Sequence, residues 1–389
     1  MSSHALLSPS AASRWLACTP SARLEEKLPD TTSEAAAEGT LAHALGEALI
    51  RRSLAGNRSE KIKQTKEIAR IEKEERYTPA MRAYAEDYAT FVLERYNEAK
   101  VKTPDAVIAV EQKLDMSEYV PDGYGTGDAV IIADGTLSII DLKYGKGVPV
   151  SSENNPQMKL YALGALAEFG FLYGIDTVSM TIFQPRIDNT STWEISVDDL
   201  YAWGAQVVKP RATMAYNGEG EAVPGAHCRF CRAKALCKAN ADKNLELAKY
   251  DFADAALLSE ADIADILSRA DAFTNWLKAV QDYALTEAVE HGTRFPGYKL
   301  VEGRSTRTFS DPDSVFGLLI KEGYDEAALY ERKPLPLTGV ESLLGKKEFA
   351  ALLADYVVKP PGKPALVPLS DKRPEINSNE SAKADFSNQ

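Results

Sequence analysis

The sequence predicts an α/β fold, a mixed central sheet flanked by helices, and three observations carry that expectation. Residues 105–115, 125–134 and 136–145 are β-type runs separated by turn residues. Residues 155–174 then repeat with the helical period before another β-type run at 177–186. Helical patterns precede and follow this block, so strands and helices belong to one core rather than to separate all-β and all-α parts.

Taken in order, "SPSAASRWLAC" offers Ser8 or Ser10 as an N-cap for a short first helix. "TSEAAAEGTLAHALGEALIRR" is Ala-rich with a helical apolar period. Residues 59–100 continue as helix with a break near Pro79, and Tyr84, Tyr88, Phe91 and Tyr96 share a face. The "ADGT" between the second and third strands is a hairpin turn signal. "TWEISV" is a shorter strand, and "DDLYAWGAQVVKPRATMAY" is a helix for which Asp198 is the expected cap. Residues 259–292 form a long amphipathic helix stopped by Gly292, and a short hairpin is expected near 298–309, with further helix to about 357. The tail from Lys359 is rich in Pro, Ser and Asn and is expected to be disordered. The organisation expected is therefore 1–100, an N-terminal helical part carrying Cys18 and His43; 101–245, the core and a cysteine cluster; 246–358, a helical C-terminal domain; and 359–389, the tail.

At 389 residues, 44% of them hydrophobic and 26% charged, the chain has the make-up of an ordinary globular protein with ample core. No apolar run approaches the roughly 18 residues that cross a bilayer, so no membrane association is expected. The first residues lack both a basic opening and a sustained apolar stretch, and cytoplasm is the expected location. The net charge of −12 argues against a generally basic surface, although a local basic channel in an acidic protein still binds phosphates.

Chemistry concentrates in "TLSIIDLKYGKG". Asp141 and Lys143 interrupt an apolar strand two positions apart, so both side chains lie on one face. The hairpin brings Asp128 of the preceding strand towards Asp141. Two close carboxylates repel unless a divalent cation relieves them, and oxygen ligands suit Mg²⁺ or Mn²⁺. A lysine beside them stabilises developing phosphate charge. A plain ion pair remains the alternative reading of D-x-K alone. On the flanking helices, His43 and Glu47 stand four apart, as do Gln157 and Tyr161, and Glu111 lies in the first strand.

In this order and on these elements, "GTLAH", "GTGD", "DLK" and "QMKLY" resemble the motifs of the RecB-type branch of the PD-(D/E)XK nucleases. The resemblance spans residues 39–161. It implies a restriction-endonuclease-like core with a helical N-terminal part and a mostly helical C-terminal extension. It also implies that His43, Asp128 and Asp141 hold the metal, with the backbone carbonyl of Leu142 as a further ligand. Lys143 is then the catalytic lysine, acting with Asp141, Asp128 and Glu111, and Gln157 and Tyr161 contact DNA or support the site. The D-x-K carries Asp where many members carry Glu, a change the family tolerates.

The four cysteines are Cys18, Cys228, Cys231 and Cys237, three of them in "CRFCRAKALC". Such clustering in a cytosolic chain reads as a metal site before a disulfide, and four thiolates suit Zn²⁺ or an iron–sulfur cluster. The arrangement is similar to that of the iron–sulfur members of the same nuclease branch, the AddB-type recombination nucleases and the CRISPR-adaptation nucleases among them. In these, one cysteine precedes the core and three follow it. The resemblance implies a [4Fe–4S] cluster on all four, with Zn²⁺ as the alternative, tying the first helix to the end of the core.

In the C-terminal third, Trp276 and Tyr283 on the long helix, and Arg304 and Arg307 beyond it, are candidate support or phosphate contacts. "SPSAASRWLAC", "EGTLAH" and "EGRSTRTF" resemble stretches of a phage-encoded protein family. That resemblance implies host cytoplasm, a setting in recombination or replication, and a single-strand-binding or annealing protein as a partner. The function expected is a Mg²⁺- or Mn²⁺-dependent deoxyribonuclease, an exonuclease acting on single- or double-stranded DNA ends. The alternatives are an endonuclease of the same fold, a non-catalytic DNA-binding scaffold, and a zinc-stabilised interaction protein.

Overall fold

The structure is a computed structural model and describes residues 5–29, 34–246, 258–301, 311–323 and 337–353, with 325, 329, 356 and 357. Two short helices, α1 (Ala12–Ala17) and α2 (Ser21–Glu26), open the chain, followed by α3 (Glu34–Leu54), α4 (Arg58–Ile71) and α5 (Pro79–Lys102). The break between the last two falls where expected, because Thr78 caps α5 by accepting from the Met81 N–H and Pro79 occupies the first turn, where its missing donor costs nothing. The strands are β1 (Val107–Asp115), β2 (Tyr124–Ala133), β3 (Gly135–Leu142), β4 (Ile175–Gln184) and β5 (Asn189–Ser196), with α6 (Pro156–Phe169) between β3 and β4.

The five strands lie in sequence order in one sheet. β1–β2, β2–β3 and β4–β5 are antiparallel, and β3–β4, joined through α6, is parallel. The β2–β3 turn depends on Gly135, whose φ of 77° suits a residue without Cβ. Helices cover both faces. Ala42, Leu45 and Leu49 of α3 and Met81, Ala85, Tyr88 and Val92 of α5 pack on Ala129, Ile131, Ile140 and Leu142. The expected aromatic face of α5 is part of this layer, Tyr88 within it and Tyr84, Phe91 and Tyr96 against it. On the opposite face α6 packs with Val130, Ile132, Leu137 and Ile139, joined by Trp15 from α1.

The chain leaves β5 into α7 (Val197–Trp203), a π-helical turn (Gly204–Val208) and α8 (Lys209–Asn217). One correction falls here. The cap of α7 is Ser196, whose Oγ accepts from the Asp199 N–H, and Asp198 lies inside the first turn. A hydroxyl at the last strand residue already stands where the orphan N–H groups point, leaving Asp198 only its charge to offer. The π turn precedes Pro210, which has no N–H to continue the regular ladder.

Of the cysteine triplet, Cys228 lies in a 3₁₀ turn (Ala226–Phe230), Cys231 stands between it and a second (Arg232–Ala235), and Cys237 directly precedes α9 (Lys238–Leu245). Beyond it lie α10 (Glu260–Glu290), α11 (Pro312–Lys321), α12 (Leu337–Leu344) and α13 (Lys346–Leu353). Gly292 follows α10 at a φ of 68°, as a helix stop requires. Residues 298–301 of the expected hairpin form no strand; its remainder, with Arg304 and Arg307, and the tail from Lys359 lie outside the described residues. The chain divides into two compact units, one drawn from residues 1–258 and 269–293, the other from 259–268 and 294–389. No described helix is long and apolar enough to cross a membrane.

Candidate active site

β3 ends at Leu142, and the candidate site is built at that end. Asp141 is 2% exposed, with a carboxylate oxygen 2.9 Å from Lys143 Nζ. That contact is an ion pair off hydrogen-bond alignment, so Asp141 Oδ2 makes no aligned hydrogen bond among the described residues. Burial raises the Asp141 carboxyl pKa against the opposing pull of Lys143. Burial lowers that of Lys143, but Asp141 and Asp128 outweigh it and the net shift is upward. Both shifts express one fact: the pair shares a proton-rich, poorly solvated corner.

The β2–β3 register runs to Ala129↔Ile140, which sets Asp128 beside the next β3 residue, Asp141. Asp128 is held inward because its Oδ2 accepts the Leu142 N–H at 2.7 Å. Leu142 thus contributes its N–H here, while its side chain is buried in the α3–α5 layer. His43 comes from α3, its Nδ1 3.2 Å from the same Asp128 oxygen. Burial would lower the His43 pKa, but Asp128, and then Asp141 and Glu111, raise it to about 9.

Glu111 reaches this point through a break in β1. Its φ is 48°, left-handed backbone that a non-glycine residue seldom adopts. The register on either side is unshifted, Val110↔Ala129 and Gln112↔Gly127. The facing, however, changes. Val110 packs in the α3–α5 layer, whereas Leu114, four residues on and so due on the same face, packs in the α6 layer. β2 switches with it: Ala129 belongs to the first layer, yet a Cβ on Gly125 would meet Tyr161 and Met116 of the second. At this switch groups from both layers converge on Asp128. His43, Glu111 and Asp128 bring one ligand atom each within 4.8 Å of one another, the one set of three or more such residues found among those described. Burial, and then the Asp128 charge, push the Glu111 carboxyl up to about 7.

From the other layer, α6 presents Gln157 and Tyr161. Asn155 caps α6 by accepting from the Gln157 and Met158 N–H groups, which fixes Gln157 in the first turn. Gln157 Nε2 donates to Asp141 Oδ1 at 3.1 Å, and its Oε1 accepts from Lys143 Nζ at 3.0 Å. Its Nε2 also lies 3.2 Å from the Tyr161 hydroxyl. One amide therefore orients both members of the acid–lysine pair, and Tyr161 backs the amide. The structure brings Glu111, Asp128, Asp141, Lys143, Gln157, Tyr161 and His43 together; Asp141 stands with Lys143 and Gln157, outside the three-ligand set.

The cysteines gather separately. Cys18, Cys228, Cys231 and Cys237 are free thiols and line one small cavity. No three of them meet the 4.8 Å spacing that His43, Glu111 and Asp128 satisfy. Burial, and then Glu25, push the Cys231 thiol up to about 12. Glu25, a residue that sequence reasoning did not single out, clamps the two cysteine-bearing segments. It is 4% exposed, accepts from Arg14 Nε at 2.7 Å and accepts the Arg232 N–H at 2.7 Å. Arg51 was equally unforeseen: it pairs with Glu47 at 2.7 Å and donates to the Val110 carbonyl at 2.6 Å, directly before the Glu111 break. Neither had a signal in the sequence, because a charged residue on an amphipathic helix reads as solvated surface.

The family described as "Protein of unknown function (DUF2800)" matches residues 4–374. A solved structure described as "Crystal structure of SSO0001" is 17% identical over 57% of this chain and 95% of that chain, with a TM-score of 0.23, at which the likeness carries no argument.

Proposed function

This chain belongs to the DUF2800 family, and we propose that it is a metal-dependent deoxyribonuclease with a PD-(D/E)XK core, an exonuclease processing DNA ends. One observation carries the reading. A buried acid, Asp141, is paired with Lys143 at 2.9 Å at a strand end where His43, Glu111 and Asp128 present ligand atoms within 4.8 Å. A purely structural ion pair needs neither the second carboxylate nor the histidine. The donor set, one imidazole and crowded carboxylates, with the pKa values of His43 and Glu111 raised, fits a divalent cation such as Mg²⁺ or Mn²⁺. His43, Glu111 and Asp128 would hold it, with Asp141 beside them.

When bound, the cation supplies Lewis-acid stabilisation of phosphodiester oxygens. The chain's own groups do the rest. Asp141 keeps Lys143 protonated, so the ammonium is available to a phosphate oxygen as charge develops there. Gln157 fixes the amine and the carboxylate in one geometry, limiting the reorganisation that hydrolysis requires.

The four cysteines are read as the site of a [4Fe–4S] cluster, with Zn²⁺ as the alternative. All four thiols line one cavity, which is what either metal group requires, and the choice of cluster over zinc rests on the sequence resemblance. All four cysteines would hold the cluster, whose contribution is structural. The setting in phage recombination or replication, in the cytoplasm of the host, rests on the sequence resemblance alone.

The test uses anaerobically purified full-length protein with Mg²⁺ or Mn²⁺ on end-labelled linear DNA, single- and double-stranded, beside closed circles. Degradation of linear DNA only, abolished by Lys143→Ala, is the expected result. Cut circles would make the enzyme an endonuclease. Intact DNA with metal-loaded wild type would remove the catalytic reading and leave a DNA-binding scaffold.

A further inference from the structure

Beyond the candidate site, the end of β4 carries a cation that the reading above does not use. The Lys143 N–H donates to the Phe183 carbonyl at 2.9 Å, so β4 runs alongside the catalytic strand, and the 3₁₀ turn that follows it, Pro185–Ile187, carries Arg186. Arg186 lies with its guanidinium 4.6 Å from the centre of the Tyr144 ring, the residue next to Lys143. Its Nη1 is 3.0 Å from Glu38, on the same α3 helix that supplies His43. The side chain is only 16% exposed, so ring and carboxylate hold it in place.

The ground beneath it is rigid. Gln184, 2% exposed, accepts the Val150 N–H at 2.6 Å and donates to the Val148 carbonyl at 3.4 Å. Ser191 Oγ accepts the Ser152 N–H at 3.0 Å. These bonds pin the loop leaving β3 onto the β4–β5 turn, and the exposed Lys146 lies in that loop.

A guanidinium offers five N–H donors in a planar fork. Among the described residues the side-chain hydrogen bond of Arg186 uses Nη1 alone. Its fork is therefore oriented but mostly unspent, beside a site read as handling phosphodiesters. Carboxylate and phosphate present the same oxygen geometry to such a fork. Glu38 thus stands where a substrate anion would.

We propose that Arg186 receives an internal phosphodiester of the bound nucleic-acid strand, next to the one being cleaved, and that Glu38 occupies Arg186 until the strand displaces it. The inference rests on the nuclease reading and adds a strand-gripping subsite to it. An opposite-sign pair of variants separates this from a structural salt bridge. Arg186→Ala removes the grip, whereas Glu38→Gln removes the competitor and keeps the fork.

The experiment measures fluorescence anisotropy of full-length protein with a labelled single strand bearing a 5′-hydroxyl, so that the probe carries internal diesters only. EDTA is present to stop cleavage, salt is varied, and thermal unfolding of each variant is recorded. Arg186→Ala is expected to weaken binding roughly tenfold and to flatten the log–log salt slope by roughly 0.7, the share of one phosphate contact on a single strand. Glu38→Gln is expected to bind several-fold more tightly than wild type. Wild-type binding with an unchanged Arg186→Ala affinity and slope overturns the subsite alone. So does weakening by both variants in step with a shared fall in Tm. A wild type that binds no strand overturns the subsite alone, since the cleavage assay with Mg²⁺ or Mn²⁺ on single- and double-stranded DNA is what tests the nuclease reading.

Discussion

Asp141 and Lys143 answer differently to substitution, and the difference separates stability from chemistry. Removing Lys143 leaves a buried carboxylate without its cation, and because the Lys143 side chain is 28% exposed the cost is about 2 kcal/mol, below that of a fully buried pair. Lys143→Met is therefore expected to lower Tm as well as abolish cleavage. The double variant Asp141→Asn, Lys143→Met removes the stranded charge and is expected to recover most of the Tm while staying inactive, as differential scanning calorimetry would show. Equal Tm losses in both would mean that the pair is not the source of the instability. The titrations of His43 and Glu111 give a second prediction. Both pKa values are raised on folding, from 6.5 to about 9 and from 4.5 to about 7, so the metal-free folded state binds more protons than the unfolded one. Stability from these groups is present below their unfolded values and is lost as pH climbs through about 7 and then about 9. A divalent cation competes with those protons. The Tm gain on adding Mn²⁺ should therefore grow from pH 6 to pH 9, and a gain that shrinks over that range would mean that the cation binds elsewhere.

At the scale of elements, the break in β1 joins the two helical layers at one point. A left-handed residue other than glycine costs on the order of 1 kcal/mol, and strain of this kind persists where surrounding structure demands it. Glu111→Gly keeps the break without the strain, and Glu111→Ala keeps the strain without the carboxylate. The glycine variant is expected to be about 1 kcal/mol more stable than the alanine one by urea unfolding, with both losing the Mn²⁺-dependent Tm gain. Equal stabilities would place the strain elsewhere. This break also marks where sequence reading stops. The strands, the hairpin turn, α6 and the approach of Asp128 to Asp141 and Lys143 follow from period and turn chemistry, which are local; that Gln157 and Tyr161 join them was implied by the motif resemblance alone. That β1 and β2 change face at Glu111 goes with a single left-handed dihedral angle for which Glu carries no preference, whereas His43 was expected at the site from the motif resemblance. The cap of α7 was misread for a related reason: Ser196 and Asp198 both suit an N-cap, and only the strand's end decides between them.

At the scale of the whole molecule, the cysteine cavity closes a loop of roughly 200 residues between Cys18 and the triplet, and the entropy of such a closure grows only with the logarithm of its length. The proposed cluster would be one staple, and Glu25 is another, set into the same seam. Arg14 at the start of the chain and the Arg232 N–H within the triplet both rest on its carboxylate. Arg23 and Thr19 add bonds to the Tyr216 and Glu219 carbonyls at 2.6 Å each, so the seam is held by protein contacts before any metal is bound. On the proposed reading these contacts gather the four thiols around one cavity, and ligation would replace their protons, with burial and then Glu25 opposing loss of the one on Cys231. Glu25→Ala should therefore act on the cluster without touching a ligand. It strands the Arg14 cation and the Arg232 N–H in a poorly solvated seam, which is expected to cost about 2 kcal/mol. Anaerobically prepared Glu25→Ala protein should carry less iron than wild type and bleach faster in air, followed by visible absorbance. Iron content and bleaching rate equal to wild type, with Tm lowered, would mean that the cavity is assembled by the cluster itself and that Glu25 only packs beside it.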